Sequence, residues 1–488
     1  MMLGWWNMRL EVRNIGKIDY ANVKLDGMTV LVGSNSTGKS TISKSLYTII
    51  RGFHNFDGSL EAEKNRRIIK CLRNWTRQMY EKIPRIIKKD EIRRNTENHI
   101  PSLIEELRKI KDKFRGDYIT ISGGLTYEKI NIETRDDFVK EIRYIYDLDY
   151  VESFFNDNFP FIFDSVKEVI NKLDDVYDEI LVLVNDSTVM RQVITNIIEE
   201  CMDGNFSSQF NLMDSSGVYF YNKSEEETYI SLERKISDDI EETVEVNDNN
   251  VDENIVYIQP MHILDDNFMG RISDFSICDL LRKQLLDERG TKEVEDIDLS
   301  VELLERINDI MQEKDVFDNE PVGEVSTEKN GFINRILYQD SQLNNAITFN
   351  NVASGIKNIV IIKRLISNIV LKKESFLVFD EPEVNLHPDW QLKFAKILAM
   401  LQKELKLKIL INTHSPYFMR ALECYCDHYD ILDNLNIYHM EHSEKNLNQY
   451  YAKNITDEEN GVADLYQELS RPFVKLQEML EKKYGEDE

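Results

Sequence analysis

The chain has 488 residues, 42% of them hydrophobic, and a formal net charge of −28 at pH 7. Its length suffices for two to four structural units with ample core. The acidity means that the average surface repels phosphate backbones, which excludes nonspecific nucleic-acid binding by the protein as a whole.

No run of about 18 apolar residues is present, so no membrane span is expected. The start, Met1-Met2-Leu3-Gly4-Trp5-Trp6, lacks the charged residues and long apolar stretch of a signal peptide. Five scattered cysteines (71, 201, 278, 424 and 426) fit reduced thiols, so the expected location is the cytoplasm. Cys424-Tyr425-Cys426-Asp427-His428 has no second ligand cluster and reads as structural.

Taken in order, Met8 to Leu25 alternates polar and apolar residues about Asn14-Ile15-Gly16-Lys17, the pattern of a β-hairpin. Met28-Thr29-Val30-Leu31-Val32 reads as a buried strand and Ile42 to Ile50 as a helix. Between them lies Gly33-Ser34-Asn35-Ser36-Thr37-Gly38-Lys39-Ser40, then Thr41. This matches G-x-x-x-x-G-K-[ST]: a glycine-permitted loop turns backbone N–H groups toward phosphates, Lys39 reaches the β- and γ-phosphates, and the Ser40 hydroxyl ligates Mg²⁺. The helix N-terminus adds its dipole to the anion site.

Helical spacing dominates from Phe53 to Ser207, with Ile68, Leu72, Trp75 and Met79 on one stripe and Pro84, Pro101 and Pro160 as punctuation. Trp75 therefore reads as core. A hairpin is expected at Tyr118 to Glu133. Twelve Lys/Arg against three acids run from Lys64 to Arg94. Either this segment docks a phosphate backbone or partner, or it is a solvated face balancing the acidic remainder. Strands return at Val218–Tyr221, Tyr229–Leu232 and Ile255–Ile258, and the acidic run Asp238 to Glu253 reads as a solvated loop. Helices are expected between Ile263 and Val316, and strands at Asn334–Tyr338 and Ala346–Phe349.

Val352-Ala353-Ser354-Gly355-Ile356-Lys357 opens an apolar helix, where Ser354 and Gly355 could offer N–H donors to a phosphate. Ser375 to Phe379 is an apolar strand ending in Asp380-Glu381-Pro382. Beside a P-loop, Asp380 holds Mg²⁺ with Ser40, while Glu381 orients and deprotonates the attacking water. Lys408 to Thr413 is another buried strand, delivering His414 as a hydrogen-bond donor to the γ-phosphate.

These elements in this order resemble the ATP-binding-cassette class of ATPases. Asn14-Ile15-Gly16-Lys17-Ile18, Asp380-Glu381-Pro382-Glu383-Val384-Asn385-Leu386-His387-Pro388 and Thr413-His414-Ser415-Pro416-Tyr417-Phe418 resemble its soluble branch of OLD, RecF and SMC-like proteins. Val352 to Lys357 and Leu401-Gln402-Lys403-Glu404-Leu405 resemble the ATPase subunits of bacterial anti-phage systems, the PtuA family of Septu ATPases among them. The likeness covers about 1–50 and 330–430.

The resemblance implies an α/β ABC-type P-loop ATPase head, with a mixed sheet lobe, a helical lobe and a mainly helical insertion. The expected core pieces are 1–52, 208–262 and 318–455. The insertion spans 53–207, a helical subdomain 263–317 and a C-terminal helix 456–488. ATP and Mg²⁺ are the implied cofactors. Two protomers would pair head to tail, with Ser354 and Gly355 of one capping ATP held by Lys39 and Ser40 of the other. Lys357 stands where the family signature has glutamine, and either touches that trans γ-phosphate or is surface. Gln259 is the candidate for the glutamine that links Mg²⁺ to the rest of the fold.

Only 74 residues follow His414, too few for the TOPRIM effector of an OLD-type nuclease. The expectation is a sensing subunit that controls a separate effector, an HNH nuclease or another toxin. Two other readings stand open: a RecF- or SMC-like DNA-repair ATPase, with nucleic acid on 64–94, and a nucleotide-locked scaffold.

Overall fold

The computed structural model describes residues 8–87, 105, 109, 134–158, 160–208, 210, 215–221, 230–236, 240–246, 254–259, 275–286, 294–313, 322–330 and 333–484. The expected hairpin at 118–133, Pro101 and the segment 263–274 lie outside them. By contacts the chain forms two compact units, one of Met1–Phe56 with Ile194–Glu488 and one of Asp57–Val193.

In chain order the elements are β1 (Arg9–Ile15), β2 (Ile18–Lys24), β3 (Met28–Val32), α1 (Lys39–Gly52), α2 (Phe56–Ile87), α3 (Arg135–Ile145), α4 (Leu148–Asn158), α5 (Pro160–Asn171), α6 (Leu173–Leu183) and α7 (Asp186–Met202). Then come β4 (Ser216–Tyr221), β5 (Ile230–Ile236), β6 (Ile240–Val246), β7 (Ile255–Ile258), α8 (Ile277–Leu286), α9 (Val294–Gln312), β8 (Glu324–Asn330), β9 (Ile333–Gln339) and β10 (Ile347–Thr348). The chain closes with α10 (Ser354–Ser367), β11 (Phe376–Asp380), α11 (Pro388–Leu405), β12 (Lys408–Thr413), α12 (Pro416–His428), β13 (Leu435–His442), β14 (Tyr450–Asn454) and α13 (Gly461–Tyr484).

The first unit is an α/β structure built on an 11-stranded sheet of order β6-β5-β4-β1-β2-β14-β13-β3-β12-β11-β7. Its centre is parallel: β3 lies between β13 and β12, and β11 between β12 and β7. Parallel strands covered on both faces read as unbroken apolar runs, as in Phe376-Leu377-Val378-Phe379 and Ile409-Leu410-Ile411. The run β6-β5-β4-β1-β2 is antiparallel and includes the expected β1–β2 hairpin, and β14 joins it to the centre, parallel to β2 and antiparallel to β13. A second, three-stranded sheet runs β10-β9-β8.

Two elements differ from the sequence reading. The acidic run 238–253 is not simply a loop, because Ile240–Val246 forms β6, paired antiparallel to β5 from Ile230↔Val246 to Ile236↔Ile240. The β-branched residues Ile240, Thr243, Val244 and Val246 favour a strand despite the glutamates between them. Strand β8, Glu-Val-Ser-Thr-Glu-Lys-Asn, is too polar for its alternation to stand out, and pairing with β9 makes it a strand.

The second unit is helical. Ile68, Leu72 and Trp75 are buried, as their spacing implies, among Phe138, Phe155 and Tyr177. The Trp75 indole N–H donates to the Val169 carbonyl at 3.0 Å, so this ring is core and not a stacking platform. Part of the basic stretch is spent internally. Lys64 pairs with Asp186, Arg66 and Arg67 with Glu63, and Arg67 also donates to the Leu183 carbonyl.

In the first unit, α11 carries Phe394 under the central strands. Its ring meets Phe379 edge-on at 5.5 Å and stacks on Phe418 at 6.1 Å, with no solvent exposure. Phe379 immediately precedes Asp380, so this cluster sets the height of the strand end. Phe394→Ala should lower the unfolding free energy by about 3–5 kcal/mol, read from urea denaturation.

Candidate functional site

The parallel register brings the chemistry to one edge of the sheet. Asp380 on β11 pairs with Asn412 on β12, and Thr413 pairs with Val32 on β3. Phe379 pairs with Ile258, which sets Gln259 beside Asp380 in the register. Ligands of open α/β sheets gather at such carboxyl-terminal edges.

At the end of β3 the loop 33–38 feeds directly into α1. Gly38 sits at φ +95°, in the left-handed region that favours glycine, and a Cβ there would also displace the end of the Ile18 side chain, whose Cδ1 would lie 2.4 Å away. The first turn of α1 holds no acidic residue, leaving its N–H groups and dipole available to an anion. The Thr37 hydroxyl donates to the Ser34 carbonyl at 3.0 Å, while Asn35 and Ser36 are exposed and Thr41 is half-buried. Lys39 is buried, and its Nζ donates to the carbonyls of Gly33 and Ser34, each at 2.8 Å. Burial pushes the Lys39 ammonium below its usual range, and the carboxylates of Glu381, Asp380 and Glu383 partly restore it.

Oδ1 of Asp380 accepts two hydrogen bonds, from Ser40 Oγ at 3.0 Å and from Asn412 Nδ2 at 2.9 Å. Asn412 is fully buried, and its Oδ1 accepts from Ser43 on α1 at 3.0 Å. A hydroxyl and a carboxylate in contact form a hard oxygen pair suited to Mg²⁺. The donor set thus fits a magnesium-bound phosphate, with Ser40 and Asp380 as the protein ligands. The Tyr257 hydroxyl, buried near Asp380, Gln259 and Ser43, is raised well above its usual range, chiefly by burial.

Glu381 adopts φ +49°, unusual for a residue with a side chain and worth about 1–3 kcal/mol of strain. Its N–H donates to the Asn412 carbonyl at 2.9 Å. His414 Nδ1 stands 3.6 Å from Oε1 of Glu381 and 3.6 Å from Oε1 of Glu383. A carboxylate and an imidazole at the mouth of a phosphate site suit activation of water and contact with a terminal phosphate.

The residues of α10 are held elsewhere. Ser354 is exposed at its first turn, and Gly355 packs so closely on the turn after β11 that a Cβ would lie 2.7 Å from the Asn385 carbonyl. Asn358 donates to the Pro382 carbonyl at 3.1 Å. Lys357 donates to its own Asn350 carbonyl at 3.1 Å and lies over the Phe349 ring.

The sequence matches the AAA ATPase domain family over residues 8–419. The chain belongs to that family. The match takes in the P-loop, the Asp380 strand and His414, so this AAA ATPase domain has the P-loop ATPase fold. No curated protein matches the sequence. Among solved structures, the SMC head domain from Thermotoga maritima is 11% identical, covering 49% of this chain and 74% of that one with a TM-score of 0.27. An Smc head bound to the C-terminal winged-helix domain of ScpA is 10% identical, with 93% and 98% covered and a TM-score of 0.35. An Smc head with an extended coiled coil, bound to the C-terminal domain of ScpA and derived from Pyrococcus furiosus, is 9% identical, with 97% and 100% covered and a TM-score of 0.30. These are distant likenesses.

Three residues of this AAA ATPase domain escaped the sequence reading: Asn412, Thr413 and Glu383. A buried asparagine ending an apolar strand is a visible signal, but its partners on α1 and β11 are not. Asn412→Ala, which frees Asp380 from one of its two donors, should raise the Mg²⁺ concentration that half-saturates ATP hydrolysis by about 10-fold, measured by magnesium titration.

Proposed function

We propose that the chain is a Mg²⁺-dependent ATPase that pairs head to tail around ATP and regulates a separate effector in bacterial anti-phage defence. The observation that carries the ATPase part is the convergence of Ser40, Asp380, Glu381 and His414 on the P-loop at one sheet edge. The anti-phage part is supported by the likeness of Val352 to Lys357 and Leu401 to Leu405 to the ATPase subunits of such systems.

In this reading the backbone N–H groups of residues 34–41 and the Lys39 ammonium bind the triphosphate. Lys39 exchanges its bonds to the Gly33 and Ser34 carbonyls for phosphate oxygens. Ser40 and Asp380 would hold Mg²⁺, with Gln259 as a further candidate contact, and the cation would supply neutralisation of charge on the phosphates. Glu381 accepts a proton from the attacking water, and His414 donates to the γ-phosphate. Ser354 and Gly355, at the start of α10, cap the ATP of a second protomer. Lys357 would then leave the Asn350 carbonyl for the same phosphate. ATP thereby acts as dimer glue, and hydrolysis releases it. The effector that this cycle controls is an HNH nuclease or another toxin, acting in the cytoplasm.

Lys39→Ala should abolish nucleotide binding, whereas Glu381→Gln should bind ATP with near-wild-type affinity and accumulate as an ATP-dependent dimer. Titration with a fluorescent ATP analogue and sedimentation velocity with and without ATP read the two effects. Equal loss of binding in both variants would refute the assigned roles. Cells carrying the gene with its genomic neighbours should lose phage resistance on Lys39→Ala in a plaque assay, and unchanged resistance would remove the defence reading.

A further inference from the structure

The turn that follows β11 carries a carboxylate that the reaction as described leaves unused. Glu383 is only 4% exposed, whereas the side chains of Glu381 and His414 are 30% and 41% exposed. Glu383 therefore cannot meet substrate, yet it is bonded to the residues that would. Its Oε1 accepts from the Thr413 hydroxyl at 2.6 Å and from the His414 backbone N–H at 3.1 Å. The same oxygen lies 3.6 Å from His414 Nδ1, the distance that Oε1 of Glu381 also keeps from that nitrogen. Neither Nδ1 of His414 nor Oε2 of Glu383 has a hydrogen-bond partner among the described residues.

The backbone around it is set just as closely. The Val384 N–H donates to the Glu381 carbonyl at 3.1 Å, and the Leu386 N–H to the Glu383 carbonyl at 3.0 Å, closing a tight turn. That turn holds Glu381 at its positive φ and points the Glu383 side chain inward. A neutral amide would serve the Thr413 and His414 donors equally well. Burying a carboxylate is costly, and burial raises the Glu383 carboxyl above its usual range. What a carboxylate adds over an amide is negative charge beside the imidazole.

We propose that Glu383 is a positioning residue, whose carboxylate holds the His414 imidazole against Glu381 so that the two act on the same water and phosphate. The inference rests on the ATPase reading above. Glu383 contributes to turnover through His414 and leaves nucleotide binding to the P-loop.

The test uses the full chain and compares Glu383→Gln with wild type in steady-state hydrolysis of Mg-ATP, ATP-analogue binding and thermal unfolding. The expected result is a kcat lower by roughly 10- to 100-fold, with KM and the nucleotide Kd within about 2-fold. The folded-state pKa of Glu383 is raised, so its ionised form disfavours the native state above that pKa. Glu383→Gln should accordingly unfold no earlier than wild type at pH 8. In a His414→Ala background, Glu383→Gln should have no further effect on kcat, because the residue through which it acts is gone. An unchanged kcat in the single variant, or an undiminished effect in the His414→Ala background, overturns the proposal. A joint fall of kcat, nucleotide affinity and melting temperature marks a purely structural peg and overturns it as well. If Glu383→Gln does not fold, Glu383→Asp in both backgrounds gives the same non-additivity comparison. Wild-type protein without ATPase activity overturns the ATPase reading and this inference together, whereas active wild type with an equally active Glu383→Gln overturns this inference alone.

Discussion

One carboxylate oxygen joins the parts of the candidate site. Oδ1 of Asp380 receives the Ser40 hydroxyl from the helix after the P-loop and the Asn412 amide from the neighbouring strand. Both donors are neutral, so Asp380 is oriented without being neutralised, and its charge stays available to a cation. Asn412 extends the link to Ser43, a turn farther along α1. Because these groups are buried or half-buried, each must be satisfied, and that requirement sets the height of β11, β12 and α1 against one another.

The electrostatics follow from that arrangement. Asp380, Glu381 and Glu383 converge on the edge where Lys39 is also buried, and the ammonium is occupied with carbonyls of its own loop. Three acids against one buried lysine leave local negative charge. A triphosphate arriving without a divalent cation would be repelled by it, whereas a divalent cation held by Ser40 and Asp380 would offset that charge. The dipole of α1, with no acid in its first turn, acts in the same sense.

The turn between β11 and α11 has contacts on two sides. Toward the sheet it bonds to Asn412, Thr413 and His414, and toward α10 its Pro382 and Asn385 carbonyls meet Asn358 and Gly355. Positive φ angles at Glu381 and Asn385 allow a chain this short to serve both neighbours. Such strain is tolerated where surrounding bonds over-determine the conformation. In the helical unit, by contrast, the hydrophobic cluster around Trp75 dominates, and several basic residues of α2 are committed to Glu63, Asp186 and backbone carbonyls.

Sequence alone determined what depends on local spacing and residue chemistry. Gly33 to Ser40 specified a phosphate loop, and the apolar runs ending in Asp380 and Thr413 specified buried strands. The stripe Ile68, Leu72, Trp75 specified a packed helix face. Strands β6 and β8 were hidden, because their polar composition masks any alternation and only pairing with β5 and β9 supplies their hydrogen bonds. Glu383 and Asn412 were visible as residues but not as parts of a site. Their roles depend on partners 30 and 369 positions away in the chain, brought within bonding distance by the order and register of strands across the sheet. Tertiary structure alone decided that juxtaposition, because strand order across a sheet is set by long-range packing and not by the spacing of residues within any one segment.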